Sequence, residues 1–389
     1  MMHKWGSIRF VFIAVGLLIF AKSADAGVKN LTELPSRAVS QLETAVADLD
    51  RFGVLGAVLK LEGDALKPTT IAYGHADLER KIPMDAERTF LVGSQTKMFT
   101  AAAIIKLAQA GKLDLDQSVS TYIPEFREGA HITIRHLLLH QSGIGDGSSL
   151  LAPPHLMPRI TMDFANLLMI SRIVGQEFKP GERYSYNNSG YSILGQVIER
   201  ASGISRASFI RQHILAPLGM TATYIGGQEK WPHDQMARGY EWNKLCECAQ
   251  ATHNPPDLSW ASAAGDMISN AEDLMIWLRA LGDPTNPTGL TLADLMTETL
   301  AINEPGAMNR YGLGLAGQVA GGLQVWGHGG SINGYFSVSL IEPQSGIRAT
   351  ILLNLVGDKM SSEVYSGTVR AMLDIMTVAL TWGVAETGR

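Results

Sequence analysis

Apolar positions recur along this chain in two rhythms. Over 36–50, Ala38, Leu42, Ala45 and Leu49 fall on one helical face. The stretches 54–61 and 69–73 read as strands with a polar turn between them. From Ser94 to Ala110 the pattern is helical and stops at Gly111, a residue suited to closing a helix. Further helices are predicted over 134–140, 162–173, 190–201 and 271–281. Strand patterns return over 322–327, 335–342 and 347–354, and a closing helix is predicted over 361–381. This order predicts an α/β (α+β) fold: an antiparallel sheet from both ends of the chain, flanked by terminal helices, with an inserted helical lobe. The expected boundaries are 27–95 and 262–389 for the α/β lobe and 96–261 for the helical lobe. The active site is expected between them.

The first 26 residues do not fit this scheme. Lys4 and Arg9 precede an apolar run of 12 residues over 10–21, and Ala24-Asp25-Ala26 follows with small residues where a signal peptidase reads. The segment 1–26 is therefore expected to be a secretory signal, and the protein to be exported to the periplasm or secreted. The run is too short to span a bilayer, and no stable membrane span is expected after its removal. The signal carries a net +2 (Lys4, Arg9, Lys22, Asp25), so the whole-chain charge of −5 becomes −7 in the mature protein. An acidic chain without a basic run argues against nucleic acid as a partner and leaves a small-molecule or peptide substrate. Oligomeric state stays open.

Cys246 and Cys248 are the only cysteines. Two residues apart, they would close a tiny ring and are expected as free thiols in a loop. Read with His253 as metal ligands, they match no firm pattern. No metal or cofactor is expected.

Three short segments carry candidate chemistry. In Val92-Gly93-Ser94-Gln95-Thr96-Lys97, Ser94 opens the predicted helix and Lys97 lies one turn on, so the lysine nitrogen can reach the serine oxygen. A lysine can take the serine's proton only if burial or crowding lowers its own affinity for protons. In Tyr186-Asn187-Asn188, after a Pro-Gly turn, a phenol and an amide can flank a nucleophile. In Trp326-Gly327-His328-Gly329-Gly330-Ser331, adjacent glycines allow close backbone approach. An edge strand there would accept an extended substrate, and the Ser331 and Ser94 amides would form an oxyanion hole. Taken singly, each segment also reads as a capped helix, an Asn-rich turn or a glycine-rich hairpin.

In order and spacing, the three together resemble the penicillin-recognising serine hydrolases with Tyr-x-Asn in the middle. That group includes class C β-lactamases, D-alanyl-D-alanine carboxypeptidases, D-aminopeptidases and related esterases. The likeness extends over 90–99, 111–116, 132–143, 180–195, 217–220 and 264–269, nearly the whole mature chain. It implies an acyl-enzyme on Ser94, with proton work shared by Lys97 and Tyr186, either of which is the formal base. It further implies that Asn188 positions Lys97 and the substrate. His328, Gly329 and Gly330 stand at the family's Lys-Thr-Gly triplet, and Ser331 follows. The implied activity is cleavage of peptide or amide bonds with D-amino acids, or of small esters. The alternatives are a β-lactamase and a catalytically idle relative that binds peptidoglycan or a partner. His328 departs from the Lys usual in class C β-lactamases, which weighs against efficient β-lactam hydrolysis. An imidazole in contact with solvent would change charge near neutrality, so His328 is expected to draw a substrate carboxylate at low pH.

Three other signals carry less. Gly312 to Gly317 fits a dinucleotide fingerprint by letter, but strand-like sequence follows instead of a helix. His136 and His140 are spaced like zinc ligands, yet no Glu follows His136, and they read as packing or hydrogen-bonded histidines. No Gly-x-Ser-x-Gly is present, which counts against a Ser-His-Asp hydrolase.

Overall fold

The computed structural model describes residues 54–357 apart from 65, 148–162, 244–245, 247, 253–257, 303–307 and 321, together with Ser36 and Ser40. The segment 1–26, most of the 36–50 helix, the 361–381 helix and His253 lie outside the described residues. Among those described, no helix is long and apolar enough to cross a membrane.

Nine strands make one antiparallel sheet. They are β1 (Gly56–Gly63), β2 (Leu66–Asp77), β3 (Ile82–Pro83), β4 (Leu300–Ala301), β5 (Met308–Tyr311), β6 (Ala316–Ala320), β7 (Leu323–Ile332), β8 (Tyr335–Ile341) and β9 (Arg348–Leu353). Their order is β3-β2-β1-β9-β8-β7-β6-β5-β4. The early and late parts of the chain therefore meet at the centre, where Ala57 lies opposite Leu353. β8 and β9 are buried throughout, polar positions included: Ser337 Oγ donates to Val92 O, and Ser339 Oγ pairs with Thr350 Oγ1. β2 has solvent on one side and alternates accordingly. β7 runs to Ile332, five residues past the predicted end, because its Gly-rich second half lacks the side chains that signal a strand.

The helices of the described residues include α1 (Thr96–Gln109), α2 (Ile134–Leu138), α3 (Phe164–Val174), α4 (Asn188–Ser202), α5 (Arg206–Ile210), α6 (Ser262–Gly265) and α7 (Ala271–Gly282). α7 covers one face of the sheet, against β1, β8 and β9. α1 is buried on nearly every side, packed on α4 and α6, and its Phe99 ring stacks on Trp277 of α7 at 4.7 Å. Such a helix reads as apolar all round. The predicted helix from Ser94 begins instead as a 3₁₀ turn, Gly93–Gln95, and becomes α-helical at Thr96.

Two sequence readings meet the structure directly. Cys246 and Cys248 form a disulfide, which corrects the expectation of free thiols. They sit at the tip of the hairpin Tyr240–Asn243/Cys248–Ala251, whose turn holds their Cα atoms 5.2 Å apart, inside the bonding range. The stretch 312–317 is the turn between β5 and β6 with the start of β6, and no helix follows it.

Arg206 at the start of α5 pairs with Asp266 just after α6, both side chains being almost wholly buried. Asp266→Ala would strand the guanidinium in the interior. The expected cost is about 3–5 kcal/mol in urea unfolding, whereas replacing both partners by apolar residues is expected to cost much less.

Candidate functional site

The site begins where the 3₁₀ turn meets the sheet. Val92 is held from two sides: its amide donates to Met267 O (3.0 Å), and its carbonyl accepts from Ser337 Oγ of β8 (2.8 Å). Thr96 Oγ1 donates to Gly93 O (2.7 Å) and accepts from the Met267 amide (3.1 Å). These bonds fix the backbone on both sides of Ser94. Thr100 Oγ1 donates to Ala263 O (2.8 Å) and ties α1 to α6.

Lys97 lies one turn past Ser94 and is completely buried. Its Nζ contacts Ser94 Oγ at 3.0 Å, Asn188 Oδ1 at 2.8 Å and the Ala264 carbonyl at 2.9 Å. The Tyr186 ring lies beside it, 4.7 Å from Nζ to centroid, and the Tyr191 ring 5.5 Å away. Loss of solvation pulls the Lys97 pKa down to about 7, while the Asp146 carboxylate opposes the fall. A sizeable fraction of Lys97 is then neutral near neutral pH and able to take a proton from the serine it touches.

Asn187 caps α4 by accepting from the Gly190 amide (2.8 Å), and its Nδ2 donates to Ile144 O (2.6 Å). That cap sets Asn188 at the first helical position and Tyr186 just before it. His140, at positive φ (57°), serves the same loop: its Nδ1 accepts from the Asn187 amide (3.0 Å) and its carbonyl from the Ser185 amide (2.9 Å). Burial, then the positive potential of Lys97, holds His140 well below its ordinary pKa, so the ring stays neutral. His136 Nδ1 accepts from the Thr133 amide at the N-cap of α2 (3.2 Å). Both histidines thus hold backbone, and among the described residues no cluster of His, Cys, Asp or Glu could hold a metal ion.

The third segment closes the site. A Cβ added at Gly330 would meet Val92 O at 2.0 Å and the Ser94 amide nitrogen at 2.8 Å; one at Gly93 would meet the Ser331 nitrogen at 2.9 Å. Only glycines let β7 come this close to the Ser94 turn. The Ser94 and Ser331 amides therefore lie on adjoining strands of backbone, where two donors can converge on one oxygen. β7 is an inner strand and not the edge strand expected, since β6 lies outside it. The β6 ladder nevertheless ends at Gly327, so among the described residues β8 is the only strand paired with the Gly329–Ser331 stretch.

His328 differs from its expectation. It is buried, with Nδ1 2.5 Å from Gly329 O and Nε2 3.1 Å from the Tyr311 hydroxyl. A carbonyl only accepts, so Nδ1 carries the proton and Nε2 accepts from Tyr311. Burial, with the nearby Lys97, pushes its pKa down to about 3. It is a neutral link between β7 and β5 and offers no charge to a carboxylate.

Asp146 escaped the sequence reading. Its carboxylate accepts from the Asn188 amide and from Asn188 Nδ2, both at 3.2 Å, and from Ser189 Oγ at 3.3 Å. It follows a Gly-rich turn, and nothing local links it to a segment more than forty residues on. The Ala264 carbonyl and the Tyr311 hydroxyl were missed for the same reason.

A family model described as Beta-lactamase matches residues 45–366. Protein flp of Staphylococcus aureus (strain MW2) is 29% identical over 81% of this chain and 63% of its own length. The chain thus spans less than two thirds of such curated relatives. Among solved structures, D-amino acid amidase from Ochrobactrum anthropi SV3 superimposes with TM-score 0.81 at 25% identity, covering 89% of this chain and 99% of that one. A D-stereospecific amidohydrolase from Streptomyces sp. gives TM-score 0.72 at 28% identity, covering 87% and 97%.

The neutral state of His328 is directly measurable. Its imidazole proton resonances, assigned by comparison with His328→Gln, should not titrate between about pH 5 and 8. A midpoint near the ordinary histidine value would show the ring to be solvated.

Proposed function

The chain belongs to the Beta-lactamase family of serine hydrolases, and on that premise we propose that it is an exported enzyme that cleaves amide bonds of D-amino acid derivatives, or small esters, through an acyl-enzyme on Ser94. The observation that carries the proposal is the buried Lys97, held against Ser94 Oγ with its pKa lowered to about 7.

In this reading Ser94 Oγ attacks the substrate carbonyl carbon as its proton passes to Lys97, with Tyr186 sharing the proton work. The carbonyl oxygen becomes an oxyanion, received by the Ser94 and Ser331 amides. Asn188 holds Lys97 and the substrate amide. The C–N or C–O bond then breaks, the leaving group takes the proton, and an ester on Ser94 remains. Water, deprotonated by the same pair, attacks that ester, restoring Ser94 and releasing the acid.

The substrate class rests on two supports. The solved neighbours include a D-amino acid amidase and a D-stereospecific amidohydrolase. His328 is neutral at the place where a cation would draw a substrate carboxylate, which favours neutral amides and esters over free acids. A β-lactam, which bears a carboxylate, is then expected to acylate Ser94 slowly and to leave slowly. Export rests on the sequence of 1–26.

A panel of a D-alanyl anilide, a short-chain nitrophenyl ester and a chromogenic cephalosporin tests this reading. Turnover should favour the first two and vanish in Ser94→Ala. Fast cephalosporin turnover without an adduct in intact-mass spectra would move the protein to β-lactamase, and no turnover at all would leave an idle binding relative. Wild-type acylation should rise with pH through the Lys97 pKa near 7, because only the neutral amine accepts the serine proton. Lys97→Arg should be nearly as inactive as Lys97→Ala, since a guanidinium keeps its proton. Substantial activity in Lys97→Arg would show that a fixed positive charge suffices.

A further inference from the structure

We propose that Asp146 is a positioning residue for this reaction: it fixes which way the Asn188 amide faces and thereby sets the proton affinity of Lys97. The proposal rests on the acyl-transfer reading above.

A carboxylate can only accept hydrogen bonds. Asp146 Oδ2 lies 3.2 Å from Asn188 Nδ2 and 3.2 Å from the Asn188 backbone nitrogen. The amide NH₂ must therefore face Asp146, which turns the amide oxygen toward Lys97 Nζ, 2.8 Å away. Reversed, the amide would present two N–H groups to an amine that must itself donate whenever it is charged. Ser189 Oγ braces the other carboxylate oxygen at 3.3 Å and accepts from the Gly147 amide at 2.9 Å. Asp146 is thus tied to the start of α4 at three points.

The second strand is charge. The groups facing Lys97 are Asp146 beyond Asn188, His140 and His328 on two sides, and the Tyr186 and Tyr191 rings. Both histidines are held neutral by burial, so neither adds a repelling positive charge, and an imidazole carries no negative one. Asp146 is the carboxylate that stabilises the protonated amine against loss of solvation. Without it, burial would act unopposed and Lys97 would hold its proton less tightly. Asp146 thus keeps Lys97 basic enough to accept the serine proton and to deliver it afterwards.

The test uses a fluorophosphonate, which labels an activated serine whatever the natural substrate is. Its labelling rate is followed against pH by intact mass in the wild type, Asp146→Asn, Asp146→Glu and Ser94→Ala. In Asp146→Asn the plateau rate should fall roughly ten- to a hundredfold as Asn188 loses its fixed orientation. At the same time the acidic limb should move to lower pH, because the ammonium has lost its counter-charge. Asp146→Glu keeps the charge, so its limb should stay near the wild-type position even if its plateau falls. This variant also guards against misfolding of Asp146→Asn, since it must then show the wild-type limb with a lowered plateau. A limb unmoved in Asp146→Asn, or an unchanged plateau, overturns the proposal; a purely structural role would lower the rate and leave the limb in place. If the wild type fails to label at Ser94, the acyl-transfer reading falls and takes this proposal with it. Labelling of wild type with an unmoved limb in Asp146→Asn sinks this proposal alone.

Discussion

The structure turns on one costly act, the burial of the Lys97 amine. An isolated ammonium is not stable in an apolar interior, so it must lose its proton or find acceptors. Lys97 does some of each. Its three oxygen contacts come from Ser94 on its own turn, Asn188 at the start of α4 and the carbonyl of Ala264 in α6. Three separate stretches of chain must therefore stand in register around a single nitrogen. The caps and ties described above hold them there: Asn187 on α4, Thr96 and Thr100 between α1 and 263–267, and Ser337 on Val92.

How much of this was legible in the sequence follows from how far each signal reaches. Ser94 and Lys97 are three residues apart, so a helical period alone predicts their contact. Tyr186 and Asn188 flank a cap that a Pro-Gly turn and a polar run announce. The five central strands stood out by their alternating or β-branched side chains, whereas the short outer strands β3 to β6 and the Gly-rich second half of β7 leave too little pattern to read. Asp146 and the Ala264 carbonyl were invisible for a different reason. Their importance depends on what lies opposite them in space, and a backbone carbonyl has no letter of its own. His328 was visible as a residue but not as a state. The sequence shows an imidazole, and only its burial against Tyr311 and Gly329 makes it a neutral one. The cysteine pair went wrong through the ring argument, which ignored that a hairpin tip already holds two such residues close together.

Specificity and reactivity are supplied by different elements of one wall. Gly330 and Gly93 bring β7 against the Ser94 turn, and their lack of side chains is what lets the Ser94 and Ser331 amides lie so close together. His328, two residues back on the same strand, joins β7 to β5 through its bond to Tyr311. Alternation places His328 and Gly330 on one side of β7 and Gly329 and Ser331 on the other. A change in what the site accepts can then be made at exposed positions such as Ser331 without disturbing the strand's anchorage.

The pairing of Ala57 with Leu353 has a consequence for the order of events in time. As the chain leaves the ribosome, β1 and β2 emerge early and can form only a two-stranded ribbon, too small to stand alone. Their neighbour β9 emerges almost three hundred residues later, and β7 and β8, which support the Ser94 turn, come only shortly before it. Long-range pairings of this kind form slowly, because a large loop must close before any contact repays it. Until those strands are made, Ser94 and Lys97 are present in the chain without the Ser331 amide or the sheet that stands behind them. The topology thus delays assembly of the backbone around Ser94 until β7, β8 and β9 have been made.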